Sequence, residues 1–81
     1  MSAAALFSAA ADALAKEDDD AAEAALTQAA DAVAAGYPNV AEAARRIRDS
    51  LQSCDLIRRR RITAIVDCQR WATDFAEAGR S

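Results

Sequence analysis

Four consecutive arginines, Arg58 to Arg61, are the residues whose type and spacing point most directly to a chemistry. A guanidinium group binds phosphate through two parallel hydrogen bonds and releases counterions from nucleic acid as it does so. On a helix, however, four consecutive side chains point in four directions, and no aromatic residue stands among them to stack on a base. We expect Arg59 and Arg60 to lie in solvent, and Arg58 and Arg61 to lie over the end of the core or to pair with acids of the first helices.

The counterpart of the arginine run is a run of acids that includes Asp18, Asp19 and Asp20. Residues 1–40 hold one basic and seven acidic residues, whereas residues 41–81 hold nine arginines and six acids. The net charges of the halves are therefore −6 and +3, within a total of −3. Such asymmetry suggests a charged partner. The three aspartates are candidates for contact with a basic partner, beside the simpler interpretation that they form a turn and cap a helix.

The residue types that most catalytic and metal sites use are scarce. The sequence has no histidine, the commonest general acid or base near neutral pH and the commonest metal ligand. Two cysteines, Cys54 and Cys68, cannot form a four-ligand zinc site, and we expect both to be small buried side chains with reduced thiols. We therefore expect no catalytic residue, no metal and no cofactor. No stretch is long and apolar enough to span a membrane, and the first basic residue is Lys16, so the N-terminus lacks the positive region of a signal peptide; we therefore also expect a cytoplasmic protein.

The elements that must position these residues are helices. Apolar residues recur every three or four positions, which is the period of an α-helix. This period and the turn-forming residues predict helices near residues 2–16, 20–35, 39–53 and 56–78. Because strand-forming residues are scarce and alanine is the best helix former, we expect an all-α fold. Residues 1–81 would form a single domain, a small antiparallel bundle of four helices.

Residues near the predicted helix ends have the types that begin or end a helix. Ser2 is the predicted N-cap of the first helix, and Asp20 with Glu23 is predicted to form a capping box at the start of the second. Gly36 is the expected stop of the second helix, and Asn39 is the expected N-cap of the third. Such residues satisfy the backbone groups that a helix end leaves without a partner.

The region after residue 39 leaves two arrangements open. Neither glycine nor proline lies between residues 39 and 78, so a single helix about 60 Å long could run through it. That would give a helical hairpin plus one long C-terminal helix, which would need a dimer partner to cover it. The apolar stripe of the third helix loses its register after Cys54, which favours a break between Ser53 and Asp55. We favour four helices.

The last predicted helix carries the broadest apolar face in the chain. Twenty of the 24 alanines lie in residues 1–44, whereas 11 of the 19 larger apolar residues lie in residues 45–81. This helix offers more apolar surface than two alanine-rich helices can cover. We therefore expect a homo-oligomer, most simply a homodimer. The residues predicted for its interface are Ile62, Ile65, Trp71 and Phe75.

These features favour a non-catalytic protein-interaction module that binds a larger macromolecule. A small inhibitor or an assembly subunit has this size and charge, and so does a phage-type, anti-CRISPR-like inhibitor of a nucleic-acid-binding machine. Two alternatives remain open. One is a small nucleic-acid-binding dimer that uses residues 58–61 together with Arg45, Arg46 and Arg48. The other is a purely structural homo-oligomer.

Overall fold

The computed structural model describes residues 2–52 and 58–79, apart from the side chains of residues 52, 58 and 59. The predicted all-α fold is confirmed, and within these ranges no strand occurs. The third and fourth helices are separate, and the break predicted between Ser53 and Asp55 falls outside the described residues. The four helices are α1 (Ala3–Ala15), α2 (Asp19–Val33), α3 (Pro38–Gln52) and α4 (Arg58–Ala78).

The helices form an elongated antiparallel bundle with extents of 39 × 20 × 19 Å. Helix α1 packs against both α2 and α4, and α2 packs against α3. Phe7, near the start of α1, stacks on Phe75 near the end of α4, and Arg61 at the start of α4 reaches Leu14 at the end of α1. Helices α1 and α4 therefore run in opposite directions, and the order around the bundle is α4, α1, α2, α3.

A few large side chains and many alanines fill the core. The largest fully buried residues are Phe7, Leu14, Leu26 and Cys68. The rest of the buried set is mostly alanine, which lets helix axes approach closely. Among the described residues no polar or charged side chain is buried. The core is thus held by apolar packing, and ion pairs lie at its edges.

The turn between α1 and α2 is a Schellman motif. The N–H of Asp18 donates to the Ala13 carbonyl at 2.9 Å, and the N–H of Glu17 donates to the Leu14 carbonyl at 3.2 Å. Glu17 holds the left-handed position of this motif, with φ of 60°. A side chain at that position costs energy that glycine would avoid.

Capping of the first two helices is partly as predicted. The Ser2 hydroxyl accepts the Ala5 N–H at 3.2 Å, which confirms Ser2 as an N-cap. The capping box predicted at Asp20 is wrong, because the Asp18 carboxylate caps α2 and accepts the Ala21 N–H at 3.3 Å. The Schellman turn needs only one left-handed residue, Glu17, so the next residue, Asp18, can already cap the helix. Helix α2 therefore begins at Asp19, and the predicted cap Asp20 lies inside its first turn.

The turn between α2 and α3 also differs from the prediction. Helix α2 ends at Val33, and Gly36 does not have a positive φ, so it is not the left-handed stop that was expected. The Tyr37 N–H donates to the Val33 carbonyl at 2.7 Å. Helix α3 begins at Pro38, and the Tyr37 carbonyl accepts its first helical hydrogen bond, so Asn39 is not the N-cap. Proline is favoured at this first position, because the first N–H groups of a helix have no helical partner.

Candidate interaction surfaces on the fourth helix

Arg61 links the start of α4 to the turn between α1 and α2. Its Nη1 donates to the Leu14 carbonyl oxygen at 3.1 Å and to Asp19 Oδ1 at 3.0 Å. The Arg61 side chain is only 15% exposed. Leu14 lies in the last turn of α1, where the helix dipole favours a cation. The expected pairing with an acid of the first helices is thereby confirmed for Arg61.

The four arginines of the run do not act as one unit. The Arg60 side chain is exposed, as expected, and within the described part of the chain it forms no ion pair. The side chains of Arg58 and Arg59 lie outside the described residues. The run thus supplies one arginine that holds the fold together and one that faces solvent.

The acidic run is divided in the same way. Asp18 caps α2, the Asp19 carboxylate accepts from Arg61, and the Asp20 side chain is exposed. Because Arg61 contacts Asp19, the acidic run and the arginine run lie at the same end of the bundle. Charges that were separate in the sequence therefore partly neutralise each other in the fold.

Most arginines beyond the run also lie beside carboxylates. These pairs are largely exposed, so each contributes little to stability, yet each offsets the charge of its arginine. The described part of the chain thus has no extended face of unpaired arginines. The pairs are Arg45–Asp31 at 3.2 Å, Arg46–Glu42 at 2.7 Å, Arg48–Asp49 at 2.9 Å and Arg70–Asp67 at 3.8 Å.

Between α3 and α4 the bundle is open. These helices are neighbours, but in the described residues they lack the close packing of the other neighbouring pairs. A groove of about 280 Å³ separates them. Its lining combines apolar side chains with charged ones at the rim. We call this groove, together with a second pocket between the same two helices at Tyr37, the seam. The lining residues are Arg46, Ile47, Ser50, Arg60, Thr63, Ala64 and Asp67.

The other end of the seam is an aromatic pocket of about 120 Å³. The Tyr37 ring meets the Phe75 ring edge-on, with centroids 5.0 Å apart. Phe75 stacks on the buried Phe7 ring at 5.6 Å, and Trp71 lies 5.2 Å from the same ring. Because Phe7 is fully buried, the pocket wall is anchored in the core. Val40, Asp74 and Ala78 complete the lining.

A stripe of uncharged side chains lies on the side of α4 that faces away from the bundle, and the exposed Arg70 flanks it. Ile62 is 56% exposed and Val66 is 49% exposed, which makes them, with Tyr37, the exposed large apolar residues of the described chain. We call this surface the outer face. Its residues follow the 4-3-4-3 spacing of one helical stripe, and all are exposed: Ile62, Val66, Gln69, Thr73 and Ala76.

A shallow groove of about 440 Å³ adjoins the outer face, between α1 and the last turns of α4. Its lining is almost entirely small side chains. We call it the small-residue groove. It is lined by Ala4, Ala5 and Ser8 of α1 and by Ala72, Thr73, Ala76 and Glu77 of α4.

The four residues predicted for an interface do not share one surface. Trp71 and Phe75 are half-buried against Phe7, and Ile65 is half-buried against the core. Ile62 alone points outward, on the outer face. Sequence reasoning missed Val66, which is one helical turn beyond Ile62 and outside the inward apolar stripe. It also missed the α3 side of the seam, for which periodicity gives no signal.

Cys68 is fully buried, as expected. Burial, reinforced by the negative charge of Asp67, raises the pKa of its thiol to about 12. Cys54 lies outside the described residues. Within residues 2–52 and 58–79 no group of three or more carboxylates and cysteines is placed to hold a metal ion. None of the helices described combines the length and apolar character that crossing a membrane requires.

No protein-family model, no curated protein and no solved structure matches the chain. Its function must therefore be inferred from the two exposed surfaces of α4.

Proposed function

We propose that this protein is a non-catalytic binding module that docks on a larger protein through the seam between α3 and α4. The observation that carries this proposal is the open groove itself. Three neighbouring helix pairs close their apolar faces against each other, whereas α3 and α4 leave apolar side chains accessible between charged rims. Grooves of this kind bind an amphipathic helix or a turn through a few apolar side chains.

The two parts of the seam are spaced for such a segment. Ala64 lies in the larger groove, and Phe75 lies in the aromatic pocket, 11 residues further along α4. Eleven helical residues span about 16 Å, or three turns. A partner helix could therefore place one apolar side chain in each part. The aromatic pocket is close in volume to a cavity of ~150 Å³ that holds benzene, so it suits a single side chain.

Opposite charges at the two ends of the seam would set the orientation of a bound partner segment. Arg60 borders one end of the seam, and Asp74 borders the other. A partner segment with an acid near Arg60 and a base near Asp74 would be complementary to both. Rim charges of this kind affect orientation and association rate more than affinity.

A small inhibitor and an assembly subunit would both use such a surface, and an inhibitor of a nucleic-acid-binding machine belongs to the same class. The nucleic-acid alternative has less support. Arg45, Arg46, Arg48 and Arg61 all lie beside carboxylates, which offset the charge that phosphate binding needs. The contact proposed here also differs from the acidic run, because Asp18 and Asp19 are used in the cap and the ion pair.

Affinity purification with charge-reversed variants tests the proposal. Arg60→Glu and Asp74→Arg alter the two ends of the seam, and both side chains are exposed, so folding is preserved. Lys16→Glu and Asp12→Arg are matched controls, because they make the same charge changes at exposed positions, Asp12 in α1 and Lys16 directly after it. From nuclease-treated cells that make the protein, the wild type and both controls should retain a protein partner. The seam variants should lose most of it, because each reversal sets a like charge against the complementary charge of the partner, which costs several kcal/mol.

Equal recovery of that partner by seam and control variants would overturn the proposal. So would the recovery of nucleic acid alone. If DNA or RNA bound with a steep salt dependence, and Arg59→Glu combined with Arg60→Glu abolished that binding, the nucleic-acid alternative would replace it.

A further inference from the structure

The aromatic pocket at the Tyr37 end of the seam combines three aromatic rings with one carboxylate. The rings of Tyr37, Trp71 and Phe75 line it, and Asp74 is the one charged side chain among its described lining residues. The face of an aromatic ring has negative electrostatic potential and attracts cations, and tryptophan attracts them most strongly. Three rings beside a carboxylate are therefore suited to a positively charged group.

The charge of Asp74 is available to such a group. Asp74 is exposed, and within the described part of the chain no side chain pairs with its carboxylate. Arg70 lies one turn earlier on α4, but its Nη2 is 3.8 Å from Asp67 Oδ1 instead. The pocket lies between the last turn of α4 and the first turn of α3, where the partial charges of the two helix ends oppose each other. Asp74 therefore sets the sign of the charge that the pocket favours.

Contacts with the core hold the rings of the pocket in place before a ligand binds. Trp71 and Phe75 pack on the buried Phe7 ring, and Tyr37 meets Phe75 with centroids 5.0 Å apart. The planes of Tyr37 and Phe75 are 84° apart, so these rings form a corner rather than a flat slot. A compact ammonium head fits a corner, whereas the planar guanidinium of arginine stacks on a flat face. The volume of about 120 Å³ suits an ammonium head with up to three methyl groups, since a cavity of ~150 Å³ holds benzene.

We propose that the aromatic pocket binds an alkylammonium group, the head of a lysine side chain or of its N-methylated form on the partner segment. The head lies among the three rings, beside the Asp74 carboxylate. The methylene stem is apolar and packs on the rings, so one side chain is both the apolar anchor and the base that complement this end of the seam. The assignment to a partner's lysine rests on the proposed function, whereas the affinity of the pocket for alkylammonium groups does not.

Fluorescence titration of the purified chain tests the site, because Trp71 is the single tryptophan and lines the pocket. The probes are choline, which carries a trimethylammonium group, and 3,3-dimethylbutan-1-ol, its uncharged isostere. At constant ionic strength, choline should bind with a Kd on the order of 1–10 mM, about tenfold more tightly than the isostere. n-Butylammonium matches an unmethylated lysine side chain. If it binds more tightly than choline, the head is unmethylated, and the reverse order assigns the methylated form.

Two variants remove the features that the site requires. Asp74→Asn removes the carboxylate charge, and Glu77→Gln is its matched control, an exposed residue of α4 that lines the small-residue groove instead. Asp74→Asn should weaken choline binding about threefold and leave binding of the isostere unchanged, whereas Glu77→Gln should bind choline as the wild type does. Tyr37→Leu keeps an apolar side chain but removes a ring, and it should also weaken choline binding about threefold or more. Circular dichroism should show equal helicity for all of these proteins.

Equal affinity of the wild type for choline and for its isostere would overturn the alkylammonium site. So would equal choline binding by the wild type and Tyr37→Leu, because the cation would then lie outside the pocket. The titration uses the purified chain without a partner, so its outcome is separate from that of the affinity purification. If choline binds as predicted and no seam-dependent partner is recovered, the proposed function fails and the alkylammonium site stands. If the partner depends on the seam and choline shows no preference over its isostere, only the alkylammonium site fails.

Discussion

Arg61 offers the sharpest test of how the arginine run is used. Its guanidinium donates to the last turn of α1 and to Asp19, and its side chain is largely buried. A hydrogen bond from a charged donor contributes about 1.5–3 kcal/mol. The exposed Asp19 pair and the helix dipole each add a few tenths to about 1 kcal/mol. Because the dipole and the hydrogen bond act on the same carbonyl group, their contributions overlap, and Arg61→Ala should lower the free energy of unfolding by about 2–3 kcal/mol.

That loss is large for a chain of this size. A domain of 81 residues has a total stability of about 4–12 kcal/mol. Urea unfolding followed by Trp71 fluorescence and by circular dichroism would measure it. With a urea m-value near 1 kcal/mol/M, the midpoint should fall by about 2–3 M.

Arg60→Ala is the matched control, because this neighbouring arginine is exposed and forms no ion pair within the described residues. It should change stability by less than about 0.5 kcal/mol. A double-mutant cycle of Arg61→Met with Asp19→Asn should give a coupling energy of about 0.5–1 kcal/mol. If Arg61→Ala lowers the free energy of unfolding no more than Arg60→Ala does, Arg61 does not link α4 to the turn between α1 and α2. The conclusion that these two arginines have different roles would then be wrong.

Three further predictions follow from the core and the turns. Glu17→Gly should raise the free energy of unfolding by about 0.5–1 kcal/mol, because it relieves a left-handed φ of 60°, whereas Lys16→Gly should lower it. Phe7→Ala should lower the free energy of unfolding by about 3–5 kcal/mol and raise the exposure of Trp71. A loss below about 1 kcal/mol would show that Phe7 does not anchor the aromatic pocket in the core. The raised pKa of Cys68 should stabilise the fold below about pH 9, and this stability should be lost as the pH rises toward 12, by up to about 1.4 kcal/mol per unit. Cys68→Ala should show a flatter decline between pH 9 and 11.

The helices themselves could be predicted from the sequence, because a helical apolar period runs through each of them and high alanine content supports it in α1 and α2. Their ends were harder to predict. Asp18, Asp19 and Asp20 are chemically equivalent caps, and the Schellman turn at Glu17 decides among them. Gly36 has the type of a helix stop, yet the chain leaves α2 without a left-handed residue. In both turns, three-dimensional geometry overrode residue type.

The surfaces of α4 were harder still. Periodicity shows that a helix buries a face, but not which of its neighbours it closes against, so the seam has no signature in the sequence. The apolar residues of α4 cover nearly half of its circumference, and Ile62 and Trp71 lie at the two edges of that arc, about 180° apart on a helical wheel. Packing of Trp71 against Phe7 directs one part of that face inward and leaves Ile62 in solvent.

Site-specific photocrosslinking in cells that make the protein tests the central claim most directly. A photoreactive residue at position 63 lies in the seam, and the same residue at position 28 lies on the exposed side of α2. We predict that position 63 crosslinks to a partner protein and that position 28 does not, with Arg60→Glu reducing the yield at position 63. If position 63 yields no partner protein, or if both positions crosslink to the same proteins equally, the seam is not the binding surface.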